Sequence, residues 1–243
     1  MSQDYATITD ISDWKATRVD ERFSIREKRH DWRGWQVGLY KGEVIAVRHG
    51  CHSLLFSPRC VDSLAVSDGE LFCRNSGEFG GSLSWIDSAT HSAEVLLERQ
   101  TSHLFRWSNG YIALGGLSHL GQSEGHITLL TRRDGEKWQL QTVAELPDAP
   151  EAVFQAKDRS LIIATNYRLV RLKADLEMEL ITSDCFWHGL YVNSILKVMP
   201  EKYYLGKRGG VGLVSLEESQ FVGYWLDPPP LLYTPDDDDA GDL

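Results

Sequence analysis

No apolar run in the 243-residue sequence approaches the roughly 18 residues that a membrane-spanning helix needs. The opening, MSQDYATITD, carries neither the basic nor the apolar stretch of a secretory signal, so the chain is expected to be cytoplasmic and to make no membrane contact. Cysteine is scarce. Cys51, Cys60, Cys73 and Cys185 form no CxxC pair and no regular spacing, which favours reduced thiols over disulfides or a structural zinc. His49, Cys51, His52 and Cys60 lie close in sequence, but adjacent residues of a strand point to opposite faces, so Cys51 and His52 do not share one ion. A glycine loop for nucleotide phosphates, a nucleophile elbow and a zinc-protease helix motif are all missing, and no cofactor or metal is expected. Basic residues are also few, 25 against 35 acidic ones for a net charge of −10, which argues against nucleic-acid binding. Five of those negative charges are Asp236, Asp237, Asp238, Asp239 and Asp242 in a C-terminal tail with almost nothing to bury.

What is present is a repeat. The first copy reads GWQVGLY, KGE, VIAVRHG, CHSLLFS from Gly34 to Ser57, and the second DSLAV, SDGE, LFCRN, then SLSWID from Asp62 to Asp87. The third is HLFRW, SNG, YIALGG, a long loop and HITLLTR from His103 to Arg132. The fourth is EAVFQA, KDRS, LIIATN, YRLVRLK from Glu151 to Lys173, and the fifth YVNSILKV, MPEK, YYLGKRGG, VGLVSL from Tyr191 to Leu216. Fourth strands follow most copies: HSAEVLLER, KWQLQTVAEL, EMELITS and SQFVGYWL. Asp68-Gly69, Asn109-Gly110 and Lys41-Gly42 supply the dipeptides that two-residue hairpins favour. The period of about 40 residues is that of a four-stranded antiparallel blade.

This plan resembles a β-propeller. Arg48-His49-Gly50 and Lys207-Arg208-Gly209-Gly210, each ahead of an aliphatic strand, make it similar to the small repeat propellers of bacteria, whereas the Gly-His and Trp-Asp pairs of WD40 blades are absent. The resemblance spans Arg22 to Asp227. It implies an all-β, five-bladed propeller of four-stranded antiparallel blades, closed by an N-terminal strand. Residues 1–21 then form an extension, 22–227 one propeller domain, and 228–243 a Pro-rich and then acidic disordered tail. The first repeat lacks room for a fourth strand, and the alternating RFSIREKR, Arg22 to Arg29, is the expected donor. Proteins of this look include ligand-sensing modules and immunity proteins that plug toxins.

In a blade the first-to-second and third-to-fourth connections share one end and the remaining connections share the other. The second class holds the long glycine-rich segments Asn75 to Gly81 and Gly115 to Gly125, and long loops on a rigid scaffold commonly build sites. The expected binding residues at that end are Trp32, Arg33, Trp35, Phe79, Glu151, Tyr167, Asp184, Trp187, His188, Tyr191 and Arg208. Trp, Tyr and Arg dominate interface energetics, so the expected function is non-catalytic binding of another protein, with an immunity-type inhibitor of a toxin or enzyme as its most concrete form. For single tryptophans near strand ends, packing into the core is the competing role. The other function compatible with the fold is a carbohydrate-active hydrolase using Asp31, Asp62, Glu151 and Asp184 as an acid ring.

Overall fold

A computed structural model describes residues 7–19, 34–49, 63–133, 136–183 and 185–227. The expected donor strand at 22–29 and the tail at 228–243 lie outside them. In chain order the strands are β1 (Thr7–Asp10), β2 (Lys15–Arg18), β3 (Gly34–Tyr40) and β4 (Glu43–His49). Next come β5 (Ser63–Val66), β6 (Gly69–Asn75), β7 (Gly81–Asp87) and β8 (Ala93–Leu97), then β9 (His103–Trp107), β10 (Gly110–His119), β11 (Gln122–Thr131) and β12 (Gln139–Leu146). The remainder are β13 (Pro150–Gln155), β14 (Leu161–Thr165), β15 (Leu169–Leu172) and β16 (Met178–Thr182), followed by β17 (Ser194–Met199), β18 (Lys202–Lys207), β19 (Gly210–Glu217) and β20 (Gln220–Asp227). The fold is all-β, and among the described residues the helical content is one 3-10 turn at Gly77–Phe79. No helix there is long and apolar enough to cross a membrane.

The chain divides into two compact units, one continuous (Leu55–Cys185) and one assembled from Met1–Leu54 and Phe186–Leu243. The continuous unit holds three four-stranded antiparallel sheets, β5 to β8, β9 to β12 and β13 to β16, each with its strands side by side in chain order. First strands start at Ser63, His103 and Pro150, where the repeat places them. The period of two along each strand sorts side chains between the two faces of a sheet. In the middle sheet Phe105, Trp107, Ile112, Leu114, Ile127 and Leu129 pack with Leu161, Ile163 and Val170 of β14 and β15. Leu104, Ala113 and Leu130, on the opposite face, pack with Leu71, Cys73, Leu83 and Trp85 of β6 and β7. A sheet buried on both faces explains why β10 and β11 carry near-continuous apolar runs while the outer β8 and β12 are largely exposed.

Two of the turns work differently from the expectation. The residues between β5 and β6 are Ser67 and Asp68, and between β9 and β10 Ser108 and Asn109, because the closing pairs are Val66 with Gly69 and Trp107 with Gly110. None of these takes a positive φ. Gly69 and Gly110 instead begin the second strand, where a Cβ would lie 2.0 Å from the Ile86 carbonyl oxygen and 2.1 Å from that of Leu130. The glycine is needed for close approach of the third strand. The Lys41-Gly42 turn does follow the expectation, with φ of 50° and 89°. Left-handed backbone favours glycine, and open space surrounds Gly42, so Gly42→Ala is expected to lose about 1 kcal/mol of stability in urea unfolding through backbone strain alone.

In the discontinuous unit β4 is paired on both edges, by β3 and by β1, with Thr7 opposite Arg48 and Asp10 opposite Ile45. The place beside β4 that the repeat assigns to Cys51 to Ser57 is thus filled by residues expected to form an extension. A second antiparallel sheet runs β17, β18, β19, β20, β2, with Lys15 opposite Asp227. N-terminal strands on these edges cover backbone groups that would otherwise template association. Between the two sheets lies a core of Ile11, Trp14, Trp35, Ala46, Val211 and Leu226, in which the Trp14 and Trp35 rings meet edge to face at 5.0 Å. The Phe186 ring lies against Gly212 and Gly223, where a Cβ would come within 3.0 and 2.6 Å of it.

Candidate functional site

The site is built from connections at one end of the sheets in the continuous unit. Between β6 and β7 the chain turns through Ser76 to Gly80. Asn75 shapes this turn, because its Oδ1 accepts the Gly77 N–H at 2.9 Å and its Nδ2 donates to the Gly116 carbonyl at 3.5 Å. The Ser76 N–H donates to the Gly80 carbonyl at 2.9 Å, and Gln100 Nε2 reaches the Gly77 carbonyl at 3.2 Å from the segment after β8. These bonds satisfy the backbone locally and leave Phe79, 85% exposed, pointing into water.

The segment from Gly115 to Gly125 is a continuation of β10 and β11 as one paired hairpin, not an irregular loop, with Leu117 opposite Glu124 and His119 opposite Gln122. Leu120 and Gly121 form its turn at φ of 49° and 81°. His119 Nε2 lies 2.6 Å from Glu78 Oε2 and joins the hairpin to the β6–β7 turn. Ser123 Oγ accepts the Ala149 N–H at 2.9 Å and ties the other side of the hairpin to the segment leading into β13. Leu120 is 89% exposed and was not among the expected site residues. Its only mark in the sequence is a large apolar residue placed next to a turn glycine.

Beneath the hairpin, Gly115 lies opposite His126 across the ladder, and Gln100 and Thr101 cover it so closely that a Cβ on Gly115 would fall 1.8 Å from the Gln100 carbonyl oxygen. His126 is 1% exposed, and neither ring nitrogen has a hydrogen-bond partner among the described residues. Burial, reinforced by the Arg99 charge and partly opposed by Glu145, pushes its imidazole down to about 4. Arg99 grips Glu145 with two bonds of 2.9 and 3.0 Å and holds that carboxyl below the usual range. Farther along, buried Asp148 receives Thr165 Oγ1 at 3.2 Å and pairs with Arg168, which fixes the turn that carries the exposed Tyr167.

The other expected residues are spread more widely. Trp35 and Trp187 are buried in the discontinuous unit, Trp35 against Trp14 and Trp187 edge to face with Phe186 at 5.4 Å. They serve the core there and offer no surface. In the same unit Tyr191 is exposed, with the Arg208 guanidinium 4.5 Å from its ring centroid, and His188 is half-buried. Arg208 also donates its N–H to the Leu190 carbonyl at 2.8 Å. Next to it Lys207 is fully buried, its Nζ 2.9 Å from the Trp225 ring centroid.

Glu151 is half-buried on β13, whereas Asp31, Trp32, Arg33, Asp62 and Asp184 lie outside the described residues, as do Cys51, His52 and Cys60. Among the described residues no three His, Cys, Asp or Glu side chains come together as metal ligands. Phe79 and Leu120 lie in water on turns held by backbone and side-chain hydrogen bonds. Compared with known proteins, the chain matches no family model and no curated sequence.

Proposed function

We propose that the five sheets are the blades of a five-bladed β-propeller, and that the protein is a non-catalytic module that binds another protein, as an immunity-type inhibitor of a toxin or enzyme does. The observation that carries this reading is the exposure of Phe79, Leu120, Tyr167 and Tyr191 on turns and connections. Scattered exposed apolar residues are ordinary on strand edges, but these sit on turns and connections whose backbone is fixed by hydrogen bonds, and the side chains of Phe79 and Leu120 lie almost wholly in water. Aromatic side chains that are already ordered lose little entropy on binding, so such positions contribute strongly to an interface.

The test is a comparison of the full chain with a variant carrying Phe79→Ser, Tyr167→Ser and Tyr191→Ser. A protein retained by the native chain is purified and titrated against both. The expected result is a one-to-one complex that the triple variant weakens by at least about tenfold. Equal affinity for both chains, or turnover of a glycoside by the native chain, would overturn the reading.

A further inference from the structure

We infer that residues 99–102 form a proton-sensitive strap: protonation of His126 beneath it draws Glu145 away from Arg99, lifts the strap off the β10–β11 hairpin and frees the β6–β7 turn. It is a conformational device, and it does not depend on what the protein binds.

Gly115 shows which face of the hairpin the strap covers. A Cβ there would point into the Gln100 carbonyl oxygen and Thr101 Cα, at 1.8 and 2.5 Å. Residues directly opposite in a ladder share a face, so His126, opposite Gly115, and Glu145, opposite His126, are turned to the same side. The strap closes over an imidazole that is 1% exposed and has no hydrogen-bond partner for either nitrogen among the described residues. An apolar side chain would fill this place without two unpaired nitrogens, so what the histidine adds is its affinity for a proton. Three ties hold the strap down. Arg99 grips Glu145 at 2.9 and 3.0 Å, Gln100 Nε2 donates to the Gly77 carbonyl at 3.2 Å, and the Ser102 N–H donates to the Leu114 carbonyl at 2.9 Å. The first is the one within reach of His126, because Cβ atoms of cross-strand neighbours lie about 4.5–5.5 Å apart. The second carries any movement to the β6–β7 turn.

The charges around the imidazole set its response. Among the described residues it is faced by Arg99 from the strap, by Glu145 from β12 and by Glu124, two residues earlier on β11, whose carboxylate also acts on Arg99. On this face β10 brings Ala113 and Gly115, which carry no charge. In the β6–β7 turn Glu78 is engaged by His119, and Arg74 at its start by Ser76. A neutral imidazole tolerates Arg99. An imidazolium repels Arg99 and attracts Glu145, so one proton reverses the pairing on which the strap depends. Burial, with the neighbouring guanidinium, holds the imidazole down at about 4 while the strap is closed, against an ordinary 6.5 once the ring meets water. A proton can shift two states only by the ratio of its affinities for them, here about 300-fold.

Amide hydrogen exchange of the full chain is followed from pH 7 to pH 4, each rate divided by its intrinsic value at that pH, for native protein, His126→Leu and Glu145→Gln. In the native protein the opening constant at Ser102 is expected to rise about tenfold per pH unit below 6.5 and to stay at least about tenfold above that of Ile163 on β14, with Ser76 of the β6–β7 turn following Ser102. His126→Leu is expected to abolish the rise at Ser102. Glu145→Gln, which removes the carboxylate that both cations compete for, is expected to raise opening at Ser102 already at pH 7. A rise that persists in His126→Leu would overturn the strap, as would an unchanged Ser102 in Glu145→Gln. Exchange at Ser102 that merely matches Ile163 at every pH would show global unfolding in place of a local opening, and a Ser76 that ignores pH would overturn the release of the turn.

Discussion

Gly115→Ala is expected to remove at least about 3 kcal/mol of stability, more than a single added methyl usually costs in a core. The added carbon would sit 1.8 Å from the Gln100 carbonyl oxygen and 2.5 Å from Thr101 Cα, both of them backbone atoms that cannot rotate away. Nor can the segment retreat easily. Thr101 is fully buried, the Ser102 N–H donates to the Leu114 carbonyl at 2.9 Å, and the Gln100 side chain is bonded to the β6–β7 turn. The comparison is Gly38→Ala on β3, where a methyl meets nothing within 4 Å and the change is expected to stay within about 0.5 kcal/mol. Urea unfolding, followed through the amide exchange of Leu114 and Ile127, reads the first effect at its source. Equal losses from the two substitutions would refute the close packing. Because Gln100 reaches Gly77, the alanine is also expected to loosen the turn that presents Phe79.

The second large effect is a pH dependence. His126 has a folded-state value of about 4 against an ordinary 6.5, so below 6.5 the unfolded chain takes up a proton that the folded chain refuses. The contribution of this group is full above 6.5, falls as pH drops through that window and is gone once pH passes below the folded value. At about 1.4 kcal/mol per pH unit, the loss by pH 4 is about 3 kcal/mol. Carboxylates held below their ordinary range, such as Glu145, Asp87 and Asp10, push stability in the same direction at still lower pH, so the whole curve cannot be assigned to one group. His126→Leu isolates the histidine. It deletes two buried nitrogens that have no hydrogen-bond partner among the described residues, and at pH 7 the variant is expected to match or exceed the native protein. Between pH 6.5 and pH 4 its stability curve should lie flatter by about 3 kcal/mol. Parallel curves would show that the imidazole does not carry the charge penalty.

The strands were legible in the sequence because a half-buried or doubly buried strand writes its environment into every second residue. β9, β10 and β14 are such cases, and their starts fall where the repeat puts them. Turn chemistry was legible only where the cause is local. Lys41-Gly42 needs positive φ, a property of two residues, whereas Gly69 and Gly110 are set by the backbone of a strand some 20 residues later in the chain. The same non-local cause hid the hairpin between Gly115 and Gly125, whose glycines read as a long irregular loop although Gly115 and Gly116 are packed tightly against the backbone of other segments. Trp35 and Trp187 show the limit of residue type as a guide to a site. An aromatic near a strand end can face a partner or a core, and which it does depends on a second sheet that the local sequence does not specify. Leu120 was missed for the converse reason, since leucine ordinarily signals a core and nothing in its neighbours marks it as exposed.

The pairing of β2 with β20 has a consequence for how the chain matures. Lys15 finds its partner in Asp227, 212 residues later, whereas the three sheets of the unit from Leu55 to Cys185 pair only among their own strands. At a ribosomal pace of roughly 5–20 residues per second, the interval between the two strands is roughly 10–40 seconds. Those sheets can thus pair during synthesis, while β2 must wait, unpaired along its edge, for the last described strand to emerge. Co-translational order runs from the middle of the chain outward, and β2 stays a nascent-chain liability, open to chaperones and to other strands, until β20 leaves the ribosome.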